Sequence, residues 1–254
     1  MFKKIWIIAK RDFRSYFTSP IAYIVIGGFL GIMGYMFFST LFHFQVESAR
    51  YAQFTGKNIG LTEGVIRPLY GNMNVILLFL VPFITMRLFA EEKKMHTIEL
   101  LITSPLTLTQ IVLGKFTSSL MLILVMLGAT LVYPITLIAA GEVDLGPVFS
   151  SYLGIILMTS SYLAVGILFS AMTENQIVAG ALTFATLLFF WIINWAGQFA
   201  GPVFSDLLDQ LSLVSHYNNF SQGLINSNDI IFFFSFIGFW LFLTHRILDS
   251  YRWR

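Results

Sequence analysis

The chain has 254 residues, of which 57% are hydrophobic and only 11% are charged, and its mean hydropathy is +0.78. A soluble domain carries about 25% charged residues, so this composition cannot cover a water-facing surface and predicts a polytopic membrane protein. The formal net charge is only +2, and the lack of cysteine excludes disulfides, thiol catalysis and cysteine-bound metals.

Residues 2–17 have the spacing of an amphipathic helix. One face carries seven apolar residues: Phe2, Ile5, Trp6, Ala9, Phe13, Tyr16 and Phe17. The opposite face carries five basic residues: Lys3, Lys4, Lys10, Arg11 and Arg14. Such a helix lies among lipid headgroups, so residues 1–20 are predicted to form an interfacial helix that ends at Pro20. A plain basic anchor and a brace for a cytosolic partner stay open as interpretations. The pattern of a cleavable signal peptide is missing, so we expect this helix in the mature protein.

Residues 21–44 contain no formal charge and exceed the roughly 20 residues that a helix needs to cross a bilayer. Gly27 and Gly31 form a G-x-x-x-G pair within this first span. The pattern is typical of closely packed membrane helices. Packing inside one subunit is favoured over a seam between two subunits.

Five further apolar stretches predict transmembrane helices, over residues 70–90, 116–140, 147–172, 177–200 and 230–248. We expect residues 45–72 to be an exposed polar loop with short helices at most, and Pro82 to kink the second span. Residues 201–229 are too polar for a clean crossing and predict a surface or re-entrant segment on the extracytosolic side. The predicted fold class is therefore an all-α integral membrane protein, with six spans in one transmembrane domain over residues 1–254.

The basic residues are distributed unevenly about these spans. Of the 15 lysines and arginines, twelve fall at the two termini or between the second and third spans, and three fall in the 45–72 loop. An excess of basic residues marks the cytosolic side. Both termini and the connection between spans two and three are therefore expected in the cytosol.

This connection is the most charged part of the chain, since residues 87–116 hold seven of the 28 charged residues. We name residues 91–110 the elbow. A helix is predicted over residues 88–102, with a small apolar stripe at Ile98, Leu101 and Ile102.

The end of the elbow has recognisable stop and start signals. Ser104-Pro105 should break the first helix, because the residue before proline avoids the helical region. Thr107 should then cap a new helix, with Gln110 completing a capping box. A helix with defined bounds favours a docking site for a soluble partner over an ordinary charged loop.

No catalytic constellation stands out in the sequence. The P-loop pattern is missing, since Gly114-Lys115 is followed by Phe116 rather than serine or threonine. The predicted spans lack interior Asp, Glu, Lys and Arg, which weakens both an ion-coupled carrier and an intramembrane enzyme. No metal site is indicated either, because the four histidines are dispersed without ligand spacing: His43, His96, His216 and His245.

Residues 91–115, which read EEKKMHTIELLITSPLTLTQIVLGK, resemble the segment after the second span in ABC-2 type transporter permeases. The basic N-terminal helix and the six spans fit the same family. Within it, residues 215–225 and the basic end Arg252-Trp253-Arg254 are most similar to the permease branch associated with gliding motility.

The resemblance implies a membrane subunit that pairs with a second permease subunit, identical or similar, and joins a cytosolic ABC ATPase subunit. ATP and Mg would then reside on that partner and no cofactor in this chain. The location implied is the bacterial inner membrane, with no nucleic acid partner. By matching position, nine residues are implied in coupling to the ATPase: Glu91, Glu92, Thr97, Glu99, Leu100, Leu101, Pro105, Gly114 and Lys115. His96 departs from the family, because a glycine is common at its position.

Two hypotheses of function follow. The first is a permease subunit, powered in trans, that moves a substrate across the membrane and is expected to export it. The second is a membrane scaffold that transports nothing and recruits a cytosolic partner through the elbow.

Overall fold

The computed structural model describes residues 2–55, 60–103, 105–141, 143–199 and 202–251, and within these ranges the regular structure is entirely helical. The helices are α1 (Phe2–Thr18), α2 (Pro20–Thr55), a π-helical turn (Thr62–Ile66), α3 (Arg67–Thr85), α4 (Ala90–Lys94), α5 (Ile98–Thr103), α6 (Leu108–Thr130), α7 (Val132–Ala140), α8 (Leu145–Met172), α9 (Gln176–Phe199), α10 (Pro202–Leu211), α11 (Leu213–Ser221) and α12 (Ser227–Tyr251).

Six stretches of these described helices are long and apolar enough to cross a membrane, which confirms the predicted all-α fold class. They are Ala22–Tyr51, Thr62–Lys94, Leu108–Ala139, Leu145–Met172, Gln176–Ile193 and Ser227–Tyr251. The chain is thus a multi-pass membrane protein.

Helix α8 lies at the centre of the bundle and is buried along most of its length. It contacts α3, α6, α9, α11 and α12. Small residues allow these close approaches. At Gly166, an added Cβ would lie 2.6 Å from the Cβ of Thr85 in α3, so only glycine permits the observed α3–α8 distance. The centre of the bundle therefore depends on residues that lack bulk.

Helix α2 is far longer than the predicted span of residues 21–44. It continues to Thr55, and the π-helical turn and α3 follow after residue 60. The predicted polar loop over residues 45–72 is therefore wrong for most of its described part. A helix of 36 residues is about 54 Å long, whereas the hydrocarbon layer is about 30 Å thick. The polar residues mark a helix that extends beyond the hydrocarbon, which composition alone does not distinguish from a loop.

The Gly27/Gly31 pair of α2 does not pack inside the subunit, so that prediction was wrong. A Cβ added at Gly27, Gly28 or Gly31 would meet nothing within 4 Å. The helix instead turns its other face inward and buries Phe29 and Met33. Large apolar side chains on that face gain more contact than glycine could, which leaves the face with Gly27, Gly28 and Gly31 directed away from the bundle.

Helix α1 does not lie on the membrane with all its apolar residues facing lipid. Ile8 and Ala9 are buried, while Phe2 is 86% exposed and Trp6 is 54% exposed. The buried side of α1 packs against α6, where an added Cβ at Gly114 would lie 2.7 Å from the Cβ of Ile8. The five basic residues form a third, exposed sector. The apolar residues predicted as one face thus divide between the protein interior and the surroundings.

This contact gives a direct test of how α1 is held. The variant Gly114→Ala should lower the free energy of unfolding by about 1–3 kcal/mol, since its methyl group must displace Ile8. Gly128→Ala on the same helix meets nothing within 4 Å and should be neutral or stabilising by up to about 1 kcal/mol. Thermal unfolding of both variants in detergent measures the difference, and equal behaviour would contradict the close α1–α6 contact.

The helix that leads out of the elbow begins at Leu108, before the predicted span of residues 116–140. The predicted capping box is confirmed. The backbone N–H of Gln110 donates to the Thr107 hydroxyl at 3.3 Å, and the N–H of Thr107 donates to the Gln110 side chain at 3.2 Å. Helix α6 therefore continues without a break from the end of the elbow, and its first interruption comes at Leu131.

The segment between α9 and α12 contains two helices, α10 and α11. Helix α11 returns to the bundle and buries Tyr217 and Phe220 against α8. At Gly154 of α8, an added Cβ would lie 2.7 Å from the Cβ of Phe220. Helix α12 begins at Ser227 and ends at Tyr251, so it is longer than the predicted span of residues 230–248. The basic tail at residues 252–254 lies outside the described residues.

Candidate functional site

The elbow is not one helix, so the prediction of a helix over residues 88–102 was wrong. Helix α4 ends at Lys94 and α5 begins at Ile98. Between them His96 adopts a φ of 55°, in the left-handed region that favours glycine. The N–H of Thr97 donates to the carbonyl of Glu92 at 2.9 Å, and the N–H of His96 donates to that of Lys93 at 3.0 Å.

These two hydrogen bonds form a Schellman motif, which ends an α-helix. The left-handed residue of such a motif is usually glycine, and His96 occupies that place here. A left-handed conformation costs a residue with a Cβ about 1–2 kcal/mol. The unusual residue thus sits at the bend that divides the elbow.

Replacing His96 with glycine should therefore stabilise the elbow by about 1 kcal/mol. Hydrogen exchange of the amides of residues 95–97 should slow, and thermal unfolding should shift upward. The opposite sign is expected for Lys94→Gly, since Lys94 is helical and glycine costs about 1 kcal/mol inside a helix. Destabilisation by His96→Gly would contradict a strained His96.

The start of the elbow is held by a serine of the central helix. Ser170 of α8 is fully buried, and its hydroxyl accepts the N–H groups of Phe89 at 3.0 Å and Ala90 at 3.2 Å. The same hydroxyl donates to the carbonyl of Met86 at 3.2 Å. It thereby satisfies backbone groups that the break between α3 and α4 leaves without helical partners.

A buried lysine, Lys93, holds α4 against the bundle. The Lys93 ammonium donates to the carbonyl of Ala171, in the last turn of α8. It also lies 3.6 Å from the ring centroid of Tyr251. A cation is favourable both at a helix C-terminus and over an aromatic ring. Lys93 therefore ties α4 to the ends of α8 and α12.

A second buried lysine joins α1, the elbow and α6. The Lys115 ammonium donates to the carbonyl of Leu88 at 2.6 Å and to Glu92 Oε1 at 2.8 Å, and it lies 3.5 Å from Asp12 Oδ2. Arg11 extends the network, at 2.8 Å from Asp12 and 3.8 Å from Glu92. The Lys115 side chain is 4% exposed, so the three segments are locked together by a desolvated charge.

Tyr16 lies beside this network. Its pKa is raised above the ordinary value, chiefly by burial and secondarily by the negative charge of Asp12. The phenol therefore stays protonated and adds no negative charge to the site.

Lys4 makes a further link between α1 and the elbow, because its ammonium donates to the carbonyl of Pro105 at 2.8 Å. The residue Pro105 is itself exposed. Since Arg11 contacts Glu92 in the elbow, α1 and the elbow form one continuous surface. Three of the five basic residues of α1 complete its exposed side: Lys3, Lys10 and Arg14.

The nine residues matched to ATPase coupling divide into two groups. The exposed ones are Glu91, Thr97, Glu99, Leu100 and Pro105. The others are wholly or partly buried: Glu92, Leu101, Gly114 and Lys115. Leu101 packs with Ile98 against an apolar cluster around Phe89 and Ile111, while Leu100 points outward and is 73% exposed. Ile102, the third member of the predicted stripe, has no described side chain.

Three side chains that hold the elbow in place were not singled out from the sequence: Asp12, Lys93 and Ser170. Asp12 carried a signal, as it is the one acidic residue among the basic residues of α1. Lys93 and Ser170 carried none, because their partners are about 80 positions away in the sequence.

A second polar cluster lies at the opposite end of the bundle. His216 Nδ1 is 2.6 Å from Asp229 Oδ1, and the amide of Asn219 donates to Asp229 Oδ2 at 2.9 Å. The imidazole also stacks on Phe232 at 3.9 Å between centroids. These contacts tie α11 to α12. Among the described residues there is no group of three or more His, Asp or Glu that could hold a metal ion.

The geometry defines a multi-pass helical membrane protein. Its most extensive polar structure is the elbow, which buried Ser170, Lys93 and Lys115 hold against the bundle and which exposes Leu100. Residues 6–244 match the model of the ABC-2 family transporter protein, and the chain belongs to this family. It is therefore a membrane subunit of a transporter. A search of curated proteins finds no match to the chain.

Proposed function

We propose that this chain is the permease subunit of an ABC transporter complex and that it exports a substrate by using ATP hydrolysed in a separate cytosolic ATPase subunit. ATP and Mg²⁺ would be held by that partner. The observation that carries the proposal is the contrast between the buried lysines that hold the elbow in place and its exposed apolar residues. Lys93 and Lys115 are both about 3% exposed, whereas Met95 is 65% and Leu100 is 73% exposed. Buried lysines hold the segment rigidly, and Met95 and Leu100 form an exposed apolar patch on it. This combination suits a surface that receives force from another protein.

The roles of the nine matched residues follow their burial. Glu91, Thr97, Glu99, Leu100 and Pro105 would contact the ATPase, with the basic sector of α1 beside them. Glu92, Leu101, Gly114 and Lys115 would position this surface rather than touch the partner.

The same proposal includes a second permease subunit, identical or similar to this one. The open glycine face of α2 supports it, because Gly27, Gly28 and Gly31 leave room for a helix to approach closely. The uneven distribution of basic residues supports an inner-membrane location with both termini in the cytosol. The similarity of residues 215–225 favours the permease branch associated with gliding motility.

The experiment is purification from membranes of the native host under mild detergent, followed by reconstitution into vesicles. We expect an ABC ATPase to copurify and ATP hydrolysis to drive movement of a substrate across the vesicle membrane. Recovery of this chain without an ATPase would overturn the proposal. Recovery of a non-ATPase partner would instead favour the scaffold hypothesis.

A further inference from the structure

A cavity of about 440 Å³ lies where α1, the first turns of α2, the end of α3, the elbow and α6 meet. Its volume is in the range of small-molecule sites, about 300–1,000 Å³. Its lining includes Asp12, Glu92 and Lys115 of the ion-pair network, and the cavity extends beyond them toward the apolar part of the bundle.

The lining changes from apolar to polar along the helix axes. The apolar part of the lining includes the buried Leu122 of α6, the half-buried Val25 of α2 and Phe83 of α3, which is exposed on the bundle surface. The lining becomes polar at Arg87, four residues after Phe83 and between α3 and α4, and α4 then carries Glu91 and Glu92. An amphipathic cavity at the end of transmembrane helices matches an amphipathic ligand with its charged part at the elbow.

The polar part has opposite charges with unused hydrogen-bonding capacity. Arg87 Nε and Glu92 Oε2 are both buried, and neither has a hydrogen-bond partner among the described residues. The ammonium of Lys115 already contacts Glu92 Oε1 and Leu88. A buried polar atom without a partner costs about 1–3 kcal/mol. Both side chains line the cavity, so a ligand that supplies an acceptor and a donor and turns these two atoms toward itself would be stabilised here.

We propose that this cavity binds one zwitterionic phospholipid with a primary ammonium headgroup, of the phosphatidylethanolamine class. Its phosphate contacts Arg87, because guanidinium pairs well with phosphate oxygens. Its ammonium contacts Glu91 and Glu92, and its acyl chains leave past Val25 and Phe83 into the bilayer. The inference requires only membrane insertion and does not rest on the proposed transport function, although Glu91 belongs both to this cavity and to the edge of the surface proposed for the ATPase.

The charges of the lining select against other headgroups. An anionic glycerol headgroup would bring no cation to the carboxylates of Asp12, Glu91 and Glu92, which also line the cavity. A quaternary choline has no N–H to donate to a carboxylate, and it prefers aromatic cages. Among the described residues of this lining, only Tyr16 and Phe83 carry aromatic rings.

The test is native mass spectrometry of the purified full-length chain, titrated with dioleoyl phosphatidylethanolamine, phosphatidylcholine or phosphatidylglycerol. Phosphatidylethanolamine should bind first, with about tenfold higher affinity than the other two, as expected for one charge-assisted contact. Arg87→Gln and Glu91→Gln should each reduce its affinity by about tenfold. Equal binding of all three lipids would overturn the proposal.

Two further variants locate the site. Val25→Phe keeps every charge but fills the apolar part of the cavity, so it should also weaken the binding of phosphatidylethanolamine. Lys94→Gln alters an exposed charge of α4 that does not line the cavity, and it should leave the lipid affinity unchanged. Wild-type affinity in Val25→Phe, or equal losses in Lys94→Gln and Arg87→Gln, would show that the lipid binds elsewhere.

Discussion

Replacing Leu100 with glutamate is expected to abolish recovery of the ATPase subunit while this chain stays folded in the membrane. Leu100 is 73% exposed at the tip of the elbow, so its loss removes little internal packing. An anchor residue at a protein interface contributes about 2–4 kcal/mol, which corresponds to a loss of affinity of about 30-fold or more. Copurification and ATP-driven transport should fail together.

The matched control is Leu224→Glu. Leu224 is 53% exposed and precedes α12, whose other end reaches Tyr251 beside Lys93 at the elbow. It therefore lies at the far end of the molecule, and its replacement should leave ATPase recovery unchanged. If Leu100→Glu retained the ATPase at the wild-type level, or if both variants lost it, the elbow tip would not be the docking surface.

Replacing Lys115 with methionine is expected to destabilise the protein by about 3 kcal/mol, because removal of one member of a buried ion pair leaves the other charge uncompensated. Glu92, Asp12 and the carbonyl of Leu88 would all lose the shared ammonium. Thermal unfolding in detergent should report the loss. Limited proteolysis should also cleave α1 faster, since the network joins it to the elbow.

The matched control is Lys94→Met, which removes an exposed positive charge from the same elbow. Surface charges change stability by less than about 0.5 kcal/mol. The double variant Lys115→Met/Glu92→Gln should recover part of the loss, because it no longer buries an unpaired glutamate. A loss in Lys115→Met no greater than that in Lys94→Met would exclude a structural role for the network.

The elements that sequence could predict are those encoded locally. Long chargeless stretches correctly predicted six helices able to cross a membrane, and Thr107 with Gln110 correctly predicted the cap of α6. Both signals lie within one element, so no tertiary information is needed. The elbow was likewise located from its charge, because few other parts of the chain are so polar.

The features that failed depend on contacts between distant segments. The helix predicted over residues 88–102 is divided at His96, where tertiary contacts of α4 with α8 hold a conformation that histidine rarely adopts. The glycine pattern of α2 gave no indication of which face would turn outward. The roles of Lys93 and Lys115 were also hidden, since their partners come from α8, α12 and α1. The periodicity of a sequence shows which residues share one face of a helix, but not which segment packs against that face.

Because α6 is one uninterrupted helix, it connects the elbow rigidly to the opposite end of the bundle. From its cap at Thr107 the helix runs 23 residues without interruption, about 35 Å, before the first joint at Leu131. Just past that joint, Tyr133 donates to the carbonyl of Leu30 at 3.2 Å and stacks on Phe37, both in α2. We expect a small tilt of the elbow to be transmitted along this helix and to displace α2 at Leu30 and Phe37, near the opposite end of α6.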